Sequence, residues 1–319
     1  MLHKKNKKLS RLIYNPNVEG YIFILPWLIG FFCFTLLPFI ISFVLSFTDY
    51  NILEKETNFI GLANYIKLFT EDRLYLKSLA VTFKFALISV PLRLIFALAV
   101  AMILNRKTKA IPAYRVMYYL PSIIGGSVAV SVMWRNLFSK AGVFNSLLQL
   151  IGIPCEINWL SNTNTALYTL ILLYVWQFGS AMLIFLSGLK QIPVTYYEAA
   201  TVDGAGPVKQ FFSITLPMLS PIILFNLVMQ IINGFMVFTQ AQIITNGGPV
   251  NETLVYVLYM YQKSFKYYDM GYGSAMAWIL LVIIGFFTAL VFKSSSQWAF
   301  YESETGASKQ KKTRKERKK

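Results

Sequence analysis

Residues 78–104 read SLAVTFKFALISVPLRLIFALAVAMIL, an apolar run interrupted by charge only at Lys84 and Arg93. A helix rises about 1.5 Å per residue and the hydrocarbon core of a bilayer is about 30 Å thick, so a span needs about 20 mostly apolar residues. This run is long enough to cross. Five more segments qualify outward from it: 21–47, 114–138, 166–189, 211–245 and 271–292. The fifth span in order, 211–245, contains Pro217, Pro221 and Gly234 and is expected to begin at or below the membrane surface and to bend. Proline and glycine are tolerated in membrane helices where neighbours satisfy the freed backbone groups. The expected fold class is therefore all-α: a polytopic bundle of six transmembrane helices.

Composition agrees. Of 319 residues, 56% are hydrophobic and 14% charged, whereas soluble chains carry about 25% charged residues. The net charge of +16 is concentrated at the two ends. Basic tails suit nucleic acid, but in so apolar a chain they read as the positive-inside signal that orients membrane proteins, and no nucleic-acid partner is expected. With both termini on one side, that side carries twenty Lys and Arg against seven on the other. This places both termini in the cytoplasm and makes 48–77, 139–165 and 246–270 the outer segments. The expected division is a basic cytoplasmic N-terminus at 1–20, a six-helix transmembrane domain at 21–292 with a cytoplasmic loop at 190–217, and a basic tail at 293–319 with the composition of a disordered segment resting on anionic headgroups. The basic start followed by an apolar run resembles a signal peptide, but 21–47 is too long and lacks a small-residue cleavage site, so it reads as a retained helix.

Function classes fall away on residue counts. The two cysteines, Cys33 and Cys155, make no disulfide framework, and His3 is the sole histidine. Zinc, Ser-His and Cys-His chemistry lack their residues, so no metal site and no catalytic residue is expected. No loop exceeds about thirty residues, too few to bury a separate core.

The loop after the fourth span carries the strongest local signal. Residues 192–221 read IPVTYYEAATVDGAGPVKQFFSITLPMLSP. Pro193 ends the preceding helix. Thr195 and Glu198 have capping-box spacing. Gly204 suits a helix stop, and Gly206-Pro207 a second helix start. Two short helices meeting at a glycine corner are expected, with the small side chains of Ala199 and Ala200 allowing another surface to approach.

Glu198, Ala199, Ala200, then Gly204, Ile214, Leu216 and Pro217 reproduce the spacing of the EAA signature, and the chain resembles the permease subunits of binding-protein-dependent ABC importers, in particular the maltose, lactose and glycerol-phosphate type. Further matches follow in order: Ser46-Phe47-Thr48-Asp49, Phe59 to Tyr65, Leu120-Pro121-Ser122, Trp134-Arg135, Asn246-Gly247-Gly248-Pro249, and Asp269 to Ala275. The resemblance covers nearly the whole chain. It implies a subunit of a bacterial or archaeal cell (inner) membrane importer for a sugar or oligosaccharide. Glu198, Ala199, Ala200, Asp203, Gly204 and Gly206 would then couple it to a cytoplasmic ATPase dimer. A second permease subunit and an extracytoplasmic solute-binding protein are the other implied partners, with lipid around them. No GxxxxGK[ST] loop occurs, so the chain has no cofactor of its own, and Mg-ATP belongs to the partner ATPase.

Four amides of the fifth span, Asn226, Gln230, Asn233 and Gln240, are spaced to share one helix face. They fit sugar hydroxyls, since each amide donates and accepts; they fit interhelical bonding equally. Gln177 beside Trp176 is a weaker candidate of the same kind. Gly247, Gly248 and Pro249 form a turn whose outer position suggests contact with the binding protein. Lys84 near a span end fits snorkelling. Arg93 near mid-span, with no carboxylate in the spans to neutralise it, suggests a structural or inter-subunit role, with an anionic substrate such as a sugar phosphate as the alternative. A self-contained secondary transporter is the competing class, but such proteins bury ionisable groups for ion coupling, and the loop at 192–221 would be unexplained.

Overall fold

The structure, a computed structural model, describes residues 16–106, 109–153 and 156–299. The basic segments expected before residue 16 and after residue 299, and Cys155, lie outside them. The described residues form helices joined by turns and loops, with two isolated β-bridges and no strand among them. Four helical stretches are long and apolar enough to cross a membrane: Phe23–Leu45, Arg73–Leu104, Pro207–Ile244 and Met270–Trp298. Two bent helix pairs raise the number to six if each counts as one span.

The helices in order are α1 Pro16–Phe31 and α2 Leu37–Leu45, joined by a π-turn, then α3 Ala63–Thr70, α4 Arg73–Leu104, α5 Ile111–Ile124, α6 Val128–Leu137 and α7 Val143–Leu150. They continue with α8 Ala166–Trp176, α9 Gly179–Leu189, α10 Val194–Val202, α11 Pro207–Gln210, α12 Leu216–Phe235, α13 Thr239–Ile244, α14 Tyr256–Tyr261 and α15 Met270–Trp298. Two compact units form: residues up to Glu71 with Tyr261–Ile279, and Asp72–Met260 with residues from Leu280 onward.

The larger unit is built on α4. Asp72 caps it, its Oδ1 accepting from the backbone N–H groups of Leu74 and Tyr75 at 3.0 Å each, while Oδ2 accepts from Tyr259 Oη at 2.6 Å. Its buried stripe is Val90, Leu94, Ala97, Ala101 and Leu104, a run of three- and four-residue steps that keeps one helical face inward. Facing it are Phe178, which immediately precedes α9, and Ala181, Met182, Phe185 and Leu189 of α9. Lipid is as apolar as leucine, so this contact rests on close packing and on small residues that let backbones approach. Ala97, Ala101 and Ala181 are all fully buried. Gly188 of α9 faces α12, where a Cβ would collide with Ile222 Cδ1.

The third expected span, 114–138, is not one rod. It is α5 and α6, bent by 98° at residues 125–127. Gly125 and Gly126 are poor helix formers because glycine loses the most backbone freedom on ordering, and Ser127, in extended backbone with ψ 152°, starts α6 with its Oγ accepting from Val130 N at 3.3 Å. The fourth span bends by 42° between α8 and α9. The sixth continues beyond residue 292 to Trp298.

In the smaller unit, three separate stretches meet at one backbone carbonyl. Asn64 Nδ2 donates to Ser46 O at 3.0 Å and Thr48 O at 2.8 Å. Tyr65 Oη donates to Ser46 Oγ at 2.7 Å. Gly271 packs against the same Thr48 carbonyl, which a Cβ there would strike. Lys67 and Lys263 both stand 5.3 Å from the Tyr272 ring, within cation–π range. Asp49 accepts from the Asn58 backbone N–H at 2.6 Å and from its amide at 3.1 Å, and these bonds hold the Asp49 carboxyl below the usual aspartate range.

Candidate coupling loop and translocation site

The loop between α9 and α12 is two short helices about a glycine corner. Pro193, in extended backbone, precedes α10, and no side chain caps it. The capping box expected from Thr195 and Glu198 is therefore not formed: Pro193 sets the helix start two residues earlier, so Thr195 already lies inside the helix. The other end follows the local chemistry of the sequence. Gly204 has φ +74°, Gly204 N–H donates to Thr201 O at 3.0 Å, and Ala205 N–H donates to Ala200 O at 2.8 Å. This pair of bonds is a Schellman stop, whose left-handed residue is favoured as glycine. Gly206 then caps α11, with Pro207 in its first turn.

Three residues that sequence reading passed over fix this loop. Tyr197 Oη bonds Thr215 Oγ1 at 2.9 Å. Gln210 Nε2 donates to Thr201 Oγ1 at 3.0 Å and to Ala205 O at 2.9 Å. On the free side, Glu198, Ala199, Asp203, Gly204 and Gly206 are exposed and Ala200 is half-buried. Val194, Tyr196, Val208 and above all Val202, which is 88% exposed, stand out from the loop. It is a braced platform with an apolar surface.

The four amides do not share one face. α12 ends at Phe235, and three non-helical residues separate it from α13, which carries Gln240. The helical register therefore breaks between Asn233 and Gln240. Asn226 and Gln230 are buried, Asn233 is exposed and Gln240 half-buried. Gln230 accepts from Tyr174 Oη through both its backbone oxygen, at 3.2 Å, and its Oε1, at 3.3 Å. Asn226 is fully buried, and neither amide atom has a partner among the described residues.

Arg93 has an internal role that its sequence context did not disclose. The break between α8 and α9 frees the carbonyl of Gln177. Arg93 Nη2 donates to that carbonyl, as does Ser122 Oγ at 3.0 Å. Ser122 Oγ also accepts from Ser180 N at 3.0 Å. The guanidinium lies over the Tyr174 ring, 4.4 Å from its centre. Gln177 Nε2 reaches across to Gly125 O at 3.2 Å, tying the bend of the fourth span to that of the third. A cation at the end of α8 also opposes the negative end of its dipole. Lys84 is exposed and stands 5.4 Å from the Tyr168 ring.

The turn after α13 is tightly held. Thr253 Oγ1 bonds Gly248 O at 2.6 Å and Thr245 Oγ1 at 2.7 Å. Lys77 Nζ donates to Val250 O at 2.6 Å and pairs with Glu252 at 3.0 Å. Gly247 is buried, and Gly248 and Pro249 are half-buried; the side chains that project are Asn246 and Val250. Among the described residues no group of His, Cys, Asp and Glu could hold a metal ion.

The family model described as binding-protein-dependent transport system inner membrane component matches residues 75–298. The chain belongs to this family. The probable ABC transporter permease protein YesP of Bacillus subtilis (strain 168) is 56% identical over 299 residues, covering 93% of this chain and 96% of YesP. The arabinooligosaccharides transport system permease protein AraP of the same organism is 34% identical over 281 residues, covering 86% of this chain and 87% of AraP. Among solved structures, a chain of a bacterial alginate ABC transporter, in complex with an alginate pentasaccharide-bound periplasmic protein, shares the fold with TM-score 0.77 at 20% identity, covering 91% of this chain and 96% of that one. The protein is thus a multi-pass ABC importer permease of the binding-protein-dependent kind. The matched region of this permease contains the platform, the Arg93 cluster and the turn at 246–250.

Proposed function

We propose that this permease passes a sugar or oligosaccharide, delivered by an extracytoplasmic binding protein, across the cell membrane beside a second permease subunit. A separate cytoplasmic ATPase dimer drives it. The braced platform of α10 and α11 carries this reading. Val194, Tyr196, Val202 and Val208 leave water-exposed apolar surface on a loop whose own backbone bonds are satisfied, which is the form of a docking element. Glu198, Ala199, Ala200, Asp203, Gly204 and Gly206 make up its contact side. The excess of Lys and Arg on one side supports both termini, and this loop, facing the cytoplasm. The turn at Gly247, Gly248 and Pro249 then faces outward, towards the binding protein. Relatives named for arabinooligosaccharides and for trehalose and maltose support the sugar class.

Of the four amides, Asn233 and Gln240 remain open to a passing solute. Gln230 bonds within the chain, and Asn226 is shut inside the bundle. Alternating access would move the platform and carry that motion into α12, to which Tyr197 and Thr215 tie it.

The test is uptake by proteoliposomes holding the purified assembly. Sugar should enter only with ATP inside and binding protein outside. Uptake by this chain alone, driven by an ion gradient, would establish a secondary transporter instead.

A further inference from the structure

The short helix α3 shows the wrong side to its surroundings for a helix bathed in water. Successive residues turn by about 100°, so Asn64, Lys67, Leu68 and Glu71 fall on one side and Leu62, Ile66 and Phe69 on the other. The polar side is the one held by protein. Asn64 and Leu68 are buried, and Lys67 stands 5.3 Å from the Tyr272 ring. The apolar side is left open: Leu62, Ile66 and Phe69, with Phe59 just before the helix, are between 55% and 77% exposed. A helix at the surface of a soluble protein turns its apolar stripe inward instead.

The height of α3 is set by the end of the first span. Phe23–Leu45 has 23 residues, about 34 Å of helix, against about 30 Å of hydrocarbon. Leu45 therefore lies at the edge of the acyl chains, and α3 is fastened to the three residues that follow it. Asn64 Nδ2 donates to Ser46 O at 3.0 Å and Thr48 O at 2.8 Å, and Tyr65 Oη to Ser46 Oγ at 2.7 Å. Ile60 N–H donates to Phe47 O at 2.9 Å. Ring contacts carry the apolar surface of the span outward, from Phe43 to Phe47 at 5.1 Å and from Phe47 to Phe59 at 6.4 Å between centres. The open face is thus continuous with the surface of a helix inside the bilayer.

Its chemistry suits lipid better than a protein partner. Protein interfaces carry about one hydrogen bond per 100–200 Å², whereas acyl chains offer none. Thr70 supplies the hydroxyl at the edge of this face, and its Oγ1 turns back to Ile66 O at 2.8 Å.

We propose that α3 is an interfacial anchor, with Leu62, Ile66 and Phe69, continued by Phe59, seated among phospholipids where headgroups meet acyl chains. The anchor holds the smaller unit at the membrane surface, since Thr48 packs on Gly271 and Lys67 on Tyr272. It depends on the membrane span alone and is independent of what the transporter carries.

Spin labels are placed singly at Leu62→Cys, Ile66→Cys, Phe69→Cys and Lys67→Cys, in a Cys33→Ser and Cys155→Ser background. Collision rates with oxygen, which enters lipid, and with a water-borne nickel chelate are read on the assembled transporter in nanodiscs. Labels at 62, 66 and 69 should meet oxygen, exclude nickel and report a depth of about 5–10 Å, as for an interfacial helix, with or without the binding protein. The label at 67 should meet nickel. Nickel access at 62, 66 and 69 means water and overturns the anchor. Exclusion of both reagents there means a protein cover and also overturns it, and exclusion that appears only when the binding protein is added assigns the face to that protein instead. On the unlabelled transporter, hydroxyl radicals should spare Phe59, Leu62 and Ile66; their ready oxidation overturns the proposal without any substitution in the chain.

Discussion

Replacing Arg93 by methionine keeps the length and removes the charge from a residue that is 7% exposed. Two interactions disappear. One is a charged donor on the Gln177 carbonyl, worth about 1.5–3 kcal/mol for a bond of this type. The other is the stack on Tyr174 at 4.4 Å, worth about 2 kcal/mol when desolvated. Two effects oppose the loss. Ser122 still donates to Gln177 O at 3.0 Å, so the carbonyl is not orphaned, and burying a thioether avoids the several kcal/mol needed to desolvate a guanidinium. The net expectation is a destabilisation of about 2 kcal/mol, which lowers the melting midpoint by about 5 °C. The assay is thermal unfolding of the detergent-purified chain, run as a double-mutant cycle with Tyr174→Leu. The cycle should return a coupling of about 1 kcal/mol or more between the two sites. An unchanged midpoint for Arg93→Met, or zero coupling, would refute the clamp and return Arg93 to the inter-subunit or substrate-binding roles.

Gly179→Ala should destabilise the chain by about 3 kcal/mol, because its Cβ would meet the Tyr118 carbonyl and stand 2.7 Å from Tyr119 Cα. Gly126→Ala, where no atom lies within 4 Å of the added Cβ, should shift stability by about 0.5 kcal/mol or less, and the same melting assay compares the two. Gly204→Val forces a β-branched residue to φ +74° at about 1–2 kcal/mol, which shifts the platform's local equilibrium by about 5–30-fold; ATP-driven sugar uptake should fall. Asp49 titrates below its ordinary value because Asn58 donates to the charged form, so its bonds are intact above about pH 4, the unfolded value, and are lost as pH falls through the lower folded value. Asn58 amide exchange should therefore rise only in that acid range, and Asp49→Asn should abolish the pH step.

The features legible in the sequence were those with local causes. The glycine stop at Gly204 and the proline start at Pro207 follow from backbone chemistry that needs no distant partner. The apolar stripes of α4 and α9 follow from spacing. The bend at residues 125–127 had its signal in Gly125-Gly126-Ser127, but a run averaged for hydropathy conceals it. The break after Phe235 follows Gly234, one of the residues for which this span was expected to bend, but Met236, Val237 and Phe238 are ordinary in a membrane helix and do not mark where the helix stops; the break removed Gln240 from the helix that carries the other amides. The partner of Arg93 was beyond reach for another reason. It is a backbone carbonyl 84 residues away, freed by a helix break, and a search among carboxylates cannot find it. The Thr48, Asn64 and Gly271 meeting point is similar: each lies in a recognisable element, but their convergence exists only in three dimensions.

The most direct test of the account is co-purification in mild detergent with the neighbouring genes of its operon expressed, comparing the natural chain with Val202→Glu. Val202 is 88% exposed and packs against nothing that folding requires, so the variant should insert and fold. The natural chain should bring down a second permease and a Walker-A ATPase, and Val202→Glu should keep the permease and lose the ATPase. An ATPase retained in full by Val202→Glu would contradict the platform's role, and a chain that purifies alone with transport intact would contradict the importer itself.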